Sequence, residues 1–247
     1  PPPHFFFSCF SRLTLLRSVS LARRCVLETD IMSCESLVIY LKKFKNTKNV
    51  IVTDLGGTTF DVSLVKDHKI PGTKETWIGQ KYRGHMTGFP SVDVRSIGAG
   101  GGSIAWVDEG GLLHVGPQSS GSNPGPACYN KGGNQPTVTA AALVCGILNP
   151  DYFLGGKIKL DINAAKKAVS KIAEPLQLSL TDAAWGIHSI VNENMVSATR
   201  IHTVEHGKDP RRHTLMAFGG AGPAHACRIG RILGVPEVVL PYAAGIT

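Results

Sequence analysis

Residues 50–65 carry two apolar runs around a short polar bend. Val50, Ile51, Val52 and Leu55 precede it, and Phe60, Val62, Leu64 and Val65 follow it. The first run is continuous and β-branched, which predicts a buried strand; the second alternates in part and predicts an antiparallel partner. Before them, Leu37, Val38, Tyr40, Leu41 and Phe44 predict a short amphipathic helix with Lys42, Lys43 and Lys45 near its C-terminal end. After them, Asp67-His68 predicts a second turn, and a polar stretch runs to about residue 90. Residues 104–107 and 112–115 predict another hairpin, closed by Asp108-Glu109-Gly110-Gly111.

The second half reads mainly as helices. An Ala-rich helix is predicted over 137–148, capped by Thr137 or Thr139 and stopped by Asn149-Pro150-Asp151. Another is predicted over 161–173, with Asp161 as cap and Pro175 ending it. A long helix over 182–204, behind Ser179 or Thr181, shows the stripe Ala183, Ile187, Ile190, Val191, Ala198 and Ile201. Asn194 falls on that stripe, where burial would oblige it to find a partner. Residues 214–218 predict a strand, 224–233 a helix ended by Gly234, and 236–240 a final strand. Together these predict an α/β fold: a mixed sheet containing an antiparallel hairpin, with flanking helices.

Composition narrows the class. The 247 residues are 43% apolar and 18% charged, enough for a sizeable core in one large domain or two small ones. No uninterrupted apolar run is long enough for a membrane span. The net charge of +8 favours anionic ligands such as nucleotides, although a solvated basic surface explains it as simply. No Lys/Arg block is interleaved with aromatics, so nucleic acid is not an expected partner. Cys9, Cys25, Cys34, Cys128, Cys145 and Cys227 form no CxxC pair, which predicts reduced thiols and a cytoplasmic protein. Cys128 reads either as a nucleophile beside a Gly-rich region or, more simply, as a small buried thiol. Residues 1–34 are expected to be an extension outside the fold. Residues 1–27 contain Arg12, Arg17, Arg23 and Arg24 and no acid, as an organelle transit peptide does. The missing initiator Met favours a truncated or mis-joined reading frame instead.

The candidate chemistry lies in the bend, Asp54-Leu55-Gly56-Gly57-Thr58-Thr59-Phe60-Asp61. An ordinary hairpin with a Gly-Gly turn is the simplest account of the two glycines. The whole string suits a phosphate better. Gly56, Gly57, Thr58 and Thr59 offer backbone N–H groups, and the threonines add hydroxyls. Asp54, at a strand end, can hold Mg²⁺ or orient water, and Asp61 is the second candidate catalytic acid. Gly219-Gly220-Ala221-Gly222-Pro223 lies between a strand and a helix, exposing N–H groups at a helix start, although tight strand–helix packing would require glycine as well. The Gly98-x-Gly100-x-x-Ser103 string is a poor dinucleotide fingerprint, because a strand pattern and not a helix follows it. The uncharged Gly/Pro segment 116–126 predicts an ordered functional loop.

The bend resembles a phosphate loop of the actin, sugar-kinase and heat-shock ATPase superfamily. Residues 54–61, 90–94, 96–108, 115–129, 133–139, 148–161, 194–195, 205–211 and 217–226, in collinear order, resemble the hydantoinase A / 5-oxoprolinase family. That family includes the ATP-using subunits of acetone and acetophenone carboxylases. The resemblance implies a ribonuclease-H-like fold for residues 35–247, as one lobe of a two-lobe ATPase. It implies an ATP- and Mg²⁺-dependent hydrolase that opens a cyclic amide, such as a hydantoin or 5-oxoproline, by phosphorylating the carbonyl oxygen. Asp54 would then serve metal or water, Gly56, Gly57, Thr58 and Thr59 the phosphates, and Gly219, Gly220 and Gly222 the nucleotide. A partner lobe or a hydantoinase B-like subunit is implied, since only one such bend is present. Ala140 and Arg95 stand where the family commonly shows Asp and His, which leaves open a non-catalytic nucleotide-binding lobe. A sugar- or acid-kinase-like phosphotransferase is a third reading.

Overall fold

The computed structural model describes residues 48–67, 69–74, 77–78, 85–86, 91–241 and 244. The expected helix over 37–45, the extension over 1–34 and His68 of the second turn lie outside them.

The strands in chain order are Asn49–Leu55 (β1), Phe60–Lys66 (β2), Gly72–Thr73 (β3), Trp77–Ile78 (β4), His85–Met86 (β5), Ser91–Val92 (β6), Val94–Ile97 (β7), Ser103–Val107 (β8), Leu113–Ser119 (β9), Thr214–Phe218 (β10) and Val238–Val239 (β11). The helices are Val138–Val144 (α1), Ile162–Leu176 (α2), Leu180–Glu205 (α3) and Gly222–Leu233 (α4). The main sheet runs β11-β10-β1-β2-β7. β1, β10 and β11 are parallel, while β1, β2 and β7 form an antiparallel meander. The expected mixed sheet with its opening hairpin and flanking helices is therefore present.

Burial explains why β1 is central. Its apolar residues are 0–3% exposed, as the unbroken run requires for a strand covered on both faces. Ile51, Leu55, Phe60, Val62 and Leu64 point into one large core with Leu215 and residues of all four helices. Val50, Val52, Val65, Met216 and Phe218 form a second cluster. Since side chains alternate along a strand, Asp54 and Asp61 belong to this second face.

Local chemistry sets the helix ends. Thr137 accepts from the Ala140 N–H, Asp161 from Asn163 and Ala164, and Ser179 from Asp182, each satisfying first-turn donors. Four expectations need correction. The helix predicted over 137–148 ends at Val144, because Gly146 turns to φ +72. The next helix continues through Pro175 to Leu176, closed by Gln177 at φ 52, whose N–H reaches Ala173 O. The last strand is only Val238–Val239. The long-helix stripe is the fourth. Ile201 is 48% exposed, and Asn194 is exposed, its Nδ2 reaching Val115 O at 3.4 Å. Ala183, Ile187, Val191 and Ala198 of the predicted stripe are buried, and the covered surface also takes in Ala184, His188, Asn192, Met195, Val196, Thr199, His202 and Thr203. Five of these twelve buried residues are polar.

The second hairpin forms as expected, its turn held by Asp108 Oδ1 accepting from Gly110 and Leu112. β9 extends beyond the predicted Val115 to Ser119, with Pro117 tolerated in a two-stranded ribbon. Among the described residues no helix is long and apolar enough to cross a membrane.

Candidate functional site

The β1–β2 register places Asp54 directly opposite Asp61. Directly opposed residues share a face and lie close enough to interact. Burial, and then the charge of Asp61, push the Asp54 carboxyl up to about 6. Burial also raises Asp61, against the hydrogen bonds that Ser96 and Thr59 donate to it. Two half-buried carboxylates whose ionised forms are both disfavoured make a donor set that a cation would relieve.

Between them, Gly57, Thr58 and Thr59 are exposed. A Cβ built on Gly56 or Gly57 would meet no atom within 4 Å, so the bend presents open backbone. Beneath it, the Gly-rich stretch packs backbone to backbone. Gly101 N–H donates to Gly56 O at 3.1 Å and Gly102 N–H to Gly57 O at 2.6 Å. A Cβ on Gly100 would fall 2.6 Å from Thr58 N. That close approach is why glycine is needed there, and the stretch braces the bend without joining a dinucleotide site. Thr139 Oγ1 in turn donates to Gly101 O at 2.7 Å.

The second Gly-rich corner joins the same place. Phe218 is the parallel partner of Asp54. Gly219 takes φ +84, and a Cβ there would lie 2.3 Å from Leu55 O and 2.4 Å from Asp54 Oδ1. Ala221 N–H donates to Leu55 O at 3.0 Å. No side chain caps the N-terminus of α4, and its positive dipole end lies beside the acidic pair. The structure therefore brings Asp54, Asp61, Gly56, Gly57, Thr58, Thr59, Gly219, Gly220 and Gly222 to one neighbourhood.

Several residues of this neighbourhood were not singled out in the sequence. Ser96 holds Asp61, and Ser119 Oγ lies 3.3 Å from Thr58 Oγ1. Behind α4, Asn192 bridges His188 and His225, its Oδ1 3.2 Å from His225 Nδ1. Burial pushes His225 down to about 3, so a neutral ring packs α4 onto α3. Cys128 is fully buried and its thiol is pushed up to about 11 by that burial; it is an inert core residue, not a nucleophile. Ala140 is fully buried in α1, and Arg95 pairs with Glu205. Two hollows of about 340 and 270 Å³ lie at the opposite end of the hairpin, around Lys66, Lys208 and His213. The bend itself is an open surface.

A sequence profile described as hydantoinase/oxoprolinase matches residues 36–247. The caprolactamase subunit alpha of Pseudomonas jessenii is 45% identical over 197 residues, covering 79% of this chain and 28% of the relative. 5-Oxoprolinase 1 of Arabidopsis thaliana is 37% identical over 216 residues, covering 81% of this chain and 16% of the relative. The nucleotide-free structure of acetone carboxylase, from a study of ATP-dependent acetone carboxylation, superposes with a TM-score of 0.74 at 30% identity, covering 87% of this chain and 29% of that one. The chain spans about a third or less of the length of the curated relatives it matches. The chain belongs to the hydantoinase/oxoprolinase family.

Proposed function

We propose that this chain is the nucleotide-binding lobe of an ATP-dependent hydrolase of cyclic amides. One observation carries the reading: an open two-glycine bend lies between two cation-seeking carboxylates and beside an uncapped helix N-terminus. Sheet order and strand directions, with the meander on one side and parallel strands on the other, support a ribonuclease-H-like lobe formed by residues 35–247.

Each residue then has a task. The N–H groups of Gly56, Gly57, Thr58 and Thr59 and the threonine hydroxyls hold phosphate oxygens. Gly219, Gly220 and Gly222 flank the nucleotide. Asp54 and Asp61 fit Mg²⁺, because binding it relieves the burial and repulsion that raise their pKa values. Bound Mg²⁺ supplies neutralisation of phosphate charge. Asp54 also positions water. An amide is a poor electrophile; transfer of the γ-phosphoryl group to its carbonyl oxygen activates the carbon to addition of water, the C–N bond then breaks as the ring nitrogen takes a proton, and hydrolysis of the resulting acyl phosphate releases phosphate and the ring-opened carboxylate. The protein contributes positioning and electrostatic stabilisation. The relatives' names, a lactamase, an oxoprolinase and a carboxylase, support a carbonyl substrate.

A second reading is that the lobe acts only with a partner polypeptide. The exposure of the bend and the fraction of the relatives' length that the chain spans favour it. Incubation with ATP, Mg²⁺ and caprolactam, hydantoin or 5-oxoproline tests both. Phosphate release with ring opening supports the first reading. Release only after a polypeptide carrying the rest of a relative's length is added supports the second. A stable phosphorylated product overturns both in favour of a phosphotransferase, and failure to bind ATP in any mixture overturns all three.

A further inference from the structure

We infer that Asp93, His202 and His206 form a binding site for a first-row divalent metal ion, best matched to Zn²⁺, at the C-terminal end of α3. Their candidate ligand atoms lie within 4.8 Å of one another, and Asp93 Oδ2 is 2.6 Å from His206 Nε2. Around a tetrahedral ion with bonds of about 2.1 Å the ligand atoms stand roughly 3.4 Å apart, a spacing that small side-chain rotations reach. The ligand set, two imidazoles and one carboxylate with a position left over, suits Zn²⁺.

Three further observations point the same way. His202 and His206 are four residues apart, which puts them on one face of the helix end. His206 Nδ1 lies 2.7 Å from the His202 carbonyl oxygen. Donation there fixes the tautomer and leaves the Nε2 lone pair facing Asp93, as an outer hydrogen bond does for a metal-bound histidine. His202 is 2% exposed, yet its Nε2 has no hydrogen-bond partner among the described residues. A simple clasp of Asp93 to His206 would tie β7 to α3 but would leave that buried nitrogen unexplained.

The charges are compatible. Arg95, the nearby cation that opposes a charge on His202, is paired with Glu205, and the Asp93 carboxylate is held by His206. The negative end of the α3 dipole adds to it. His206 also lines the 270 Å³ hollow with Pro71, Lys208 and His213, which provides an entry path and room for a water ligand. Asp93 stands three residues before Ser96, the residue that holds Asp61. At about 3.3 Å per strand residue this separates the site by roughly 10 Å from the carboxylate pair, so it does not depend on the nucleotide reading.

The test is titration of chelator-treated protein with ZnCl₂ by calorimetry, with Co²⁺ absorption reporting the ligand field. One ion per chain is expected, unaffected by millimolar Mg²⁺. His202→Ala and His206→Ala are expected to weaken Zn²⁺ by more than the roughly 10–100-fold that loss of an outer-shell partner costs. Asp93→Asn, which keeps the hydrogen bond to His206 and the fold, is expected to weaken it in the same direction. Circular dichroism checks each fold. Absence of stoichiometric binding, or equal affinity in wild type and a folded variant, would overturn the assignment.

Discussion

Asp54 is placed where its charge works against the fold, and Asp54→Asn exposes this. The carboxyl is raised from its usual 3.8 to about 6, first by burial and then by Asp61, and it regains its ordinary value on unfolding. The folded state therefore holds the proton more tightly. The stability that this provides is fully present below about pH 4 and is lost as pH rises through about 6, since ionisation must then occur against burial and repulsion. For a fully buried group the difference would correspond to about 3 kcal/mol. Asp54 is only partly buried, and solvent screening lowers the effect to about 1–2 kcal/mol. Urea denaturation followed by circular dichroism at pH 4 and pH 8 reads it directly. Asp54→Asn should match the wild type at pH 4 and exceed it by about 1–2 kcal/mol at pH 8, while losing nucleotide binding. A variant that is less stable than wild type at pH 8, or a gap that does not change with pH, would refute the reasoning. Such a trade, a residue that costs stability where it serves a ligand, is common at functional sites.

Two further outcomes follow from the geometry. Gly219→Ala should lower the melting temperature, costing about 1–3 kcal/mol for a residue held at φ +84, and should displace the corner that packs on Asp54. Gly220→Ala, with no atom within 4 Å of the added Cβ, should leave melting unchanged, and equal melting of the two variants would contradict the packing. Asp161→Ala should destabilise the protein by about 1 kcal/mol in chemical denaturation, because its carboxylate accepts from Asn163 and Ala164 at the start of α2.

What the sequence revealed depended on how local the determining physics was. The β1–β2 hairpin, the caps Thr137, Asp161 and Ser179, and the Gly219 corner each follow from a few adjacent residues, and each is present. The α3 core was read only in part, because beside the predicted Ala183, Ile187, Val191 and Ala198 it buries His188, Asn192, Thr199 and His202. Hydrogen bonds let His188, Asn192 and Thr199 be buried, as when Thr199 Oγ1 donates to Met195 O at 2.8 Å, and an apolar-stripe argument passes over all four. Ser96, Ser119 and Asp93 gain their roles only through strand register and contacts far apart in the chain, which no spacing rule exposes. The one signal available was the four-residue interval from His202 to His206. The packing of Gly100 under Thr58 was unreadable as well: the spacing was rejected as a dinucleotide fingerprint, and its use as a brace rests on a contact between residues far apart in the chain.

Calorimetric titration with ATP and Mg²⁺, comparing wild type with the Thr58→Ala/Asp54→Ala double variant, tests the bend most directly. The account predicts saturable binding by the wild type. The folded double variant should lose about 1.5–3 kcal/mol for each charge-assisted contact removed. Unchanged ATP affinity in that variant would contradict the account.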